Sequence, residues 1–255
     1  MTPFARPPDG YTRFLVSGAD VVVLGTHADA VRRALATRSL YVYAATHPAR
    51  RELRGRGAAY AVPLPDGQTR VVVRHSRHGG LLAPVTGDRF LPPTRAPQEL
   101  RTALRLADSG VPTPEIIAYA TYPAGTILRR SDVATREVAG GQDLGEVLAA
   151  PNASDVRASV IDATAELLRA LERAVARHPD LNVGNVLIVA NADATRRALV
   201  LDVDRVVFGH AGDPSIGVAN LARLVRSIKK LRTEGRLAVT DAELETLASA
   251  ARRPA

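Results

Sequence analysis

His178-Pro179-Asp180-Leu181-Asn182-Val183-Gly184-Asn185-Val186-Leu187-Ile188, followed a short way on by Leu199-Val200-Leu201-Asp202-Val203-Asp204, is the most informative run in this chain. The apolar residues from Asn185 to Val189 read as a strand, a polar turn follows, and Ala198–Val203 reads as the returning strand. Such a hairpin brings Asp202 back beside Asn185, with the loop His178–Gly184 leading into it. Phosphoryl transfer asks for this kind of arrangement. One carboxylate must orient an acceptor hydroxyl and take its proton, while a second carboxylate and a carbonyl oxygen hold magnesium on the nucleotide phosphates. Asp180 suits the first task. Asn185 and Asp202 suit the second, as oxygen donors for an Mg²⁺ ion that keeps waters and shares substrate phosphates. A single Asp or Asn in a loop usually only caps a turn. Here the polar spacing, the strand after it and the return to Leu-Asp all agree, and that context turns a motif into a site hypothesis.

Outward from the hairpin, the chain changes character at Gly140-Gly141. On the C-terminal side, Ser154 can cap a long helix whose apolar stripe is Val156, Val160, Leu167, Leu168, Leu171 and Val175. Two helices close the chain, one over Val218–Leu231 and one capped by Thr240 with Glu243 in capping-box spacing. On the N-terminal side most segments read as strands: Tyr11–Ser17, Val21–Leu24, Leu40–Ala45, Ala58–Leu64, Thr69–His75, Ile116–Thr121 and Asp132–Val138. Pro65-Asp66-Gly67 joins two of these as a hairpin, since Pro presets φ and Gly accepts positive φ. Helices are expected from about Asp29 to Thr37 and over Pro97–Ser109. The second has the stripe Leu100, Ala103, Leu104 and Ala107, with Gly110 at its C′ position. The pattern predicts an α+β protein of two lobes: a mostly β N-lobe over residues 1–138 and a short helical C-lobe over residues 139–255.

Composition narrows the chemistry. Cysteine is absent, which removes disulfides, thiolate metal sites and cysteine nucleophiles. No apolar run approaches the roughly 18 residues of a membrane span, and the first residues have no apolar core like that of a secretory leader, so a cytoplasmic location is expected. The formal net charge of +8 favours phosphate-rich partners. Only Lys229 and Lys230 among the basic residues are lysines, so every fixed cationic role upstream falls to arginine. Aromatic residues make up 4% of the chain and tryptophan is absent, which leaves few base-stacking platforms; no nucleic-acid partner is expected. Arg223, Arg226, Lys229, Lys230 and Arg232 lie opposite Leu221, Leu224, Val225, Ile228 and Leu231. A solvated charged face is the ordinary reading. The sharper one docks the 221–232 helix on an anionic lipid leaflet, at about 1 kcal/mol per basic side chain.

The catalytic run resembles the core of the protein-kinase-like fold, and the resemblance continues upstream in the right order. Gly55-Arg56-Gly57 is similar to a short glycine-rich phosphate loop, in which missing side chains let backbone N–H groups approach phosphate. Val71-Val72-Val73-Arg74 occupies the strand that ordinarily carries a lysine. The resemblance implies that Arg74 grips the nucleotide phosphates and that Glu99, on the following helix, pairs with it. Arginine is a workable substitute, permanently charged and two-pronged. It also implies a hinge at Val138 and Ala139 that meets adenine through backbone groups. A narrower resemblance, to the lipopolysaccharide core kinases, covers most of the chain from about Tyr11 to Leu231. Its most specific parts are Arg74-His75-x-Arg77-x-Gly79-Gly80 and Asn220-Leu221-x-Arg223-Leu224-x-Arg226-Ser227. Ser76 and His78 depart from that family, which usually has an aromatic residue and an arginine there.

This resemblance implies an ATP- and Mg²⁺-dependent kinase acting on a sugar hydroxyl of the lipopolysaccharide inner core, namely 3-deoxy-D-manno-octulosonic acid (Kdo) on a lipid A precursor. Asp180 would be catalytic, and Asn185 and Asp202 would bind the metal. Gly55, Arg56, Gly57, Arg74, Glu99, Val138 and Ala139 would serve the nucleotide. His75, Arg77, His78 and Asn182 are candidate acceptor contacts, and a glycolipid acceptor would place the protein peripherally at the inner face of the inner membrane. After Asp202 there is room for two helices, but not for the long activation segment with which protein kinases hold peptides, and Asp202-Val203-Asp204 lacks the glycine of the usual metal motif. The nearest rival is a small-molecule kinase of the aminoglycoside or choline phosphotransferase kind. The other is a catalytically silent kinase-like or basic nucleic-acid-binding module, which the retained Asp180, Asn185 and Asp202 argue against.

Overall fold

In the computed structural model, residues 6–37, 39–53, 58–76, 88–150, 154–193 and 195–253 are described. The chain divides into two compact units, one of Met1–Arg101 with Glu115–Glu137 and one of Thr102–Pro114 with Val138–Ala255.

The first unit opens with β1 (Tyr11–Val16) and β2 (Ala19–Leu24), a hairpin, and then α1 (Ala28–Ala34), which tightens into a 3₁₀ turn over Leu35–Thr37. Leu40–Ala45, expected as a strand, is instead helix α2 (Leu40–Thr46). Its alternating Tyr41-Val42-Tyr43 suggested a strand, but three acceptors satisfy its first N–H groups. Leu40 donates to the Tyr122 hydroxyl (2.9 Å), Tyr41 to Asp132 Oδ2 (2.9 Å) and Val42 to Ser39 Oγ (3.1 Å). A helix start so capped, with Leu40 and Ala44 buried at i and i+4, outweighs β-propensity.

The next strands are β3 (Arg51–Leu53), β4 (Ala59–Pro63) and β5 (Arg70–His75). The β4–β5 turn is built by Asp66, whose Oδ1 accepts from the N–H groups of Gln68 (3.0 Å) and Thr69 (2.9 Å). Helix α3 (Ala96–Asp108) ends in a Schellman motif. Gly110, at φ +74, donates to Ala107 O and Val111 donates to Leu106 O. Its buried face runs through Ala96, Glu99, Leu100, Ala103 and Leu106; of the expected stripe, Leu104 is half-buried and Ala107 exposed, so the buried face is turned toward Glu99 and Leu106.

Strands β6 (Ile116–Pro123) and β7 (Arg129–Arg136) complete a seven-stranded antiparallel sheet of order β1-β2-β6-β7-β5-β4-β3. Valines of β2, β4 and β5 pack with Ile117 and with Val31, Leu35 and Leu40 in one core.

The second unit begins its main run with β8 (Gln142–Asp143), α4 (Leu144–Ala149) and α5 (Ser154–Arg173). Val160, Leu167, Leu168 and Leu171 are buried as read. Val175 falls past the helix end at φ +47 and is not part of the stripe. Then come β9 (Ala176–Arg177), β10 (Val186–Ala190), β11 (Arg196–Val200), β12 (Val207–Phe208), α6 (Ser215–Thr233) and α7 (Asp241–Ala251). Strands β11-β10-β8 form one small sheet and β12-β9 another. Thr240 and Glu243 complete the expected capping box of α7.

Candidate active site

The loop between β9 and β10 is held in shape largely by its own polar side chains. Leu181 N–H closes a turn on His178 O (3.1 Å), and Asp180 N–H donates to His178 Nδ1 (3.2 Å). The other ring nitrogen of His178 lies 3.1 Å from Leu201 O, so this buried imidazole ties the Asp180 loop to the strand end just before Asp202. With Nδ1 accepting and Nε2 donating, its tautomer is set by its neighbours. Asn182 and Asn185 both donate from Nδ2 to Asp180 O at 2.8 Å. For Asn185 this turns the amide so that Oδ1, the end that can ligate a cation, is opposite the anchored nitrogen. Asn182 also accepts from Gly184 N–H (3.0 Å). Both ends of its amide therefore help to shape the loop.

β10 and β11 pair in the register Val186↔Val200, and Leu201 N–H donates to Asn185 O (2.9 Å). Asn185 itself closes a 3₁₀ turn, Val183–Asn185, one residue before the strand proper. Asp202 follows Asn185's cross-strand partner and takes the left-handed conformation (φ 57, ψ 48) at the start of another 3₁₀ turn, Val203–Arg205. A non-glycine residue there is uncommon, though Asp is among the better tolerated, and such strain gathers at functional positions. Among the described residues no group of three or more His, Asp or Glu side chains gathers as a closed metal cage.

Three residues of α6 reach this loop, and the sequence reading gave them no role there. Asn220, fully buried, accepts from His178 N–H (2.9 Å) and donates to Ala176 O (2.8 Å). Arg223 donates from Nη2 to Asp180 Oδ1 (2.7 Å) and from Nε to Pro179 O (3.1 Å). Val183 N–H lies 3.4 Å from Ser227 Oγ. The spacing of 220, 223 and 227 on one helical face was the available signal. Arg223 therefore does not belong to the basic surface in which the sequence placed it. Arg232 is likewise engaged, with Asp241 (2.6 Å), and Lys230 lies 3.9 Å from Glu234.

Val138 and Ala139 enter a turn in which Gly141 N–H donates to Val138 O (3.2 Å). Gly141 lies close against β10: a Cβ there would stand 2.8 Å from the end of the Leu187 side chain, which would have to shift.

In the first unit, Arg74 of β5 forms an ion pair with Glu99 of α3. Glu99 is 4% exposed on the apolar face of its helix, where a carboxylate needs a cationic partner. Next along β5, His75 faces two carboxylates, Nδ1 toward fully buried Asp132 and Nε2 3.0 Å from Asp88, which also binds Arg130 (2.8 Å). Both ring nitrogens are thus engaged by carboxylates. Burial opposes its charge, but Asp132 and Asp88 together outweigh it and hold its pKa above the ordinary 6.5. A raised folded-state pKa stabilises most below the unfolded value and loses that contribution as pH climbs through the folded one. Thermal stability measured from pH 6 upward is therefore expected to fall, and His75→Gln should flatten that slope; an unchanged slope would show that the pair carries no pH-dependent stability. Gly55, Arg56, Gly57, Arg77 and His78 lie outside the described residues.

The sheet, the helix bearing Glu99 and the Asp180 loop with its hairpin together define a protein-kinase-like fold. A solved structure described as WaaP in complex with acyl carrier protein superposes with a TM-score of 0.52 over 80% of this chain and 79% of that one, at 20% identity. Residues 42–250 match the lipopolysaccharide kinase (Kdo/WaaP) family, and the chain belongs to that family. It is similar to 3-deoxy-D-manno-octulosonic acid kinases of Vibrio cholerae, 31% identical over 69% of this chain and 72% of the relative, and of Stenotrophomonas maltophilia, 30% identical over 71% and 69%. Membership in this family makes the protein a phosphotransferase. None of the described helices is long and apolar enough to cross a membrane.

Proposed function

We propose that this chain transfers the γ-phosphoryl group of ATP to a hydroxyl of an inner-core sugar, Kdo on a lipid A precursor. The observation that carries the reading is the Asn185 anchor. The amide is pinned by nitrogen to Asp180 O, and its backbone carbonyl is paired to Leu201, directly ahead of Asp202. The Asn185 amide oxygen and the Asp202 carboxylate are hard oxygen donors, which fits Mg²⁺ and not a thiophilic metal. When bound, Mg²⁺ would neutralise charge on the nucleotide phosphates.

The remaining work falls to side chains. Asp180 orients the acceptor hydroxyl and takes its proton as that oxygen bonds to the γ-phosphorus and the bond from phosphorus to the β,γ-bridging oxygen breaks, releasing ADP. Arg74 grips nucleotide phosphates, positioned by Glu99, and the Val138–Ala139 backbone meets adenine. The Gly55–Gly57 loop completes the phosphate site. A lipid-linked acceptor would bring the protein to the cytoplasmic leaflet of the inner membrane, with Arg226, Lys229 and Lys230 the exposed cations of the 221–232 helix. Incubating the protein with ATP, Mg²⁺ and defined Kdo–lipid A acceptors should add one phosphate to the acceptor mass. No gain on any such acceptor, with a gain on an aminoglycoside or choline, would move the protein to the rival class.

A further inference from the structure

The reaction proposed above gives no task to the face of α6 that carries Asn220, Arg223 and Ser227. Asn220, Arg223 and Ser227 lie on one face of it, and each engages a different point of the loop, at residues 176 and 178, at 179 and 180, and at 183. Asn220 is a polar side chain buried beside Leu221 and Leu224, with both ends of its amide used. Packing alone would not select it there. Arg223 engages the loop through two donors of one rigid planar group, at Asp180 Oδ1 and at the carbonyl of the preceding Pro179. Two bonds from one edge fix the carboxylate relative to its own backbone, which a single flexible ammonium would not do.

We propose that Arg223 is a positioning residue for phosphoryl transfer: it holds the Asp180 carboxylate in the orientation that takes the acceptor proton, while Asn220 and Ser227 fix the loop on which that carboxylate stands. The proposal rests on Asp180 as the proton acceptor.

A double-mutant cycle on the full chain tests it, with ATP, Mg²⁺ and a Kdo–lipid A acceptor. The kcat and the nucleotide KM are measured for the wild type, Arg223→Met, Arg223→Lys, Asp180→Ala and the Arg223→Met/Asp180→Ala pair, with thermal unfolding followed for each. Arg223→Met, which keeps the apolar stem, is expected to lower kcat about tenfold or more with the nucleotide KM unchanged. Arg223→Lys should recover part of that loss, and Arg223→Met should add no further loss to Asp180→Ala. If Asp180→Ala is defective but the arginine loss multiplies onto it in full, the positioning role is overturned while the role of Asp180 stands. Near-normal turnover of Asp180→Ala would overturn the Asp180 assignment itself, and this proposal with it. Should Arg223→Met not fold, the same cycle runs with Arg223→Lys. A kcat loss that persists in the Asp180→Ala background, or no loss at all, then overturns the proposal.

Discussion

Asp180→Ala is expected to lower kcat by at least ~10²-fold while nucleotide binding persists, the usual scale for removal of a positioned general base. The loop offers no obvious replacement. The nearby Asn182 and Asn185 are amides that already donate to the Asp180 carbonyl, and His178 is buried with both ring nitrogens engaged. Those backbone anchors do not involve the Asp180 carboxylate, so the loop and the Asn185 amide should stay in place in the variant. Asp180→Asn sharpens the experiment: it can still accept from Arg223 but cannot take a proton, so it should be nearly as slow as the alanine variant. Steady-state turnover paired with a nucleotide titration gives both readouts. Normal turnover in either variant would remove proton transfer to Asp180 from the mechanism.

The second large effect is on binding. Asp202→Ala should abolish the Mg²⁺-dependent part of ATP binding. A ligand at about 100 times its Kd stabilises a folded protein by about 2.7 kcal/mol, so the wild type should melt higher with ATP and Mg²⁺ together than with ATP and a chelator. The variant should show no such difference. Alanine tolerates φ 57 less well than Asp does, so the variant should also melt lower without ligand. Asp202→Gly separates the two effects, because positive φ has no steric cost for glycine. It should recover the unliganded stability and still lack the metal-dependent shift. A metal-dependent shift of wild-type size in Asp202→Gly would show that Asp202 is not a ligand.

Legibility of the chain followed the range of the interactions involved. Where the determining contacts are local, the sequence was sufficient. The Pro65-Asp66-Gly67 turn, the Thr240–Glu243 box and the Gly110 helix stop each draw on a few consecutive residues. The Asp180 loop was readable for the same reason, since its polar spacing closes mostly on itself. Leu40–Ala45 failed because the groups that cap α2 include Tyr122 and Asp132, far along the chain. Arg223 was missed because helical periodicity shows which residues share a face but not what that face meets. The enclosure of His75 by Asp132 and Asp88 was not readable, because those carboxylates lie far from it along the chain.

By itself, then, the sequence determined the α+β class, the turns and caps, and the hairpin that returns Asp202 next to Asn185, because short-range backbone preferences suffice to specify them. Only the tertiary structure decided that His75 is enclosed by carboxylates and that α6 grips the Asp180 loop. Those pairings join residues distant along the chain, and it is burial that excludes water and makes each charged or polar group find its partner.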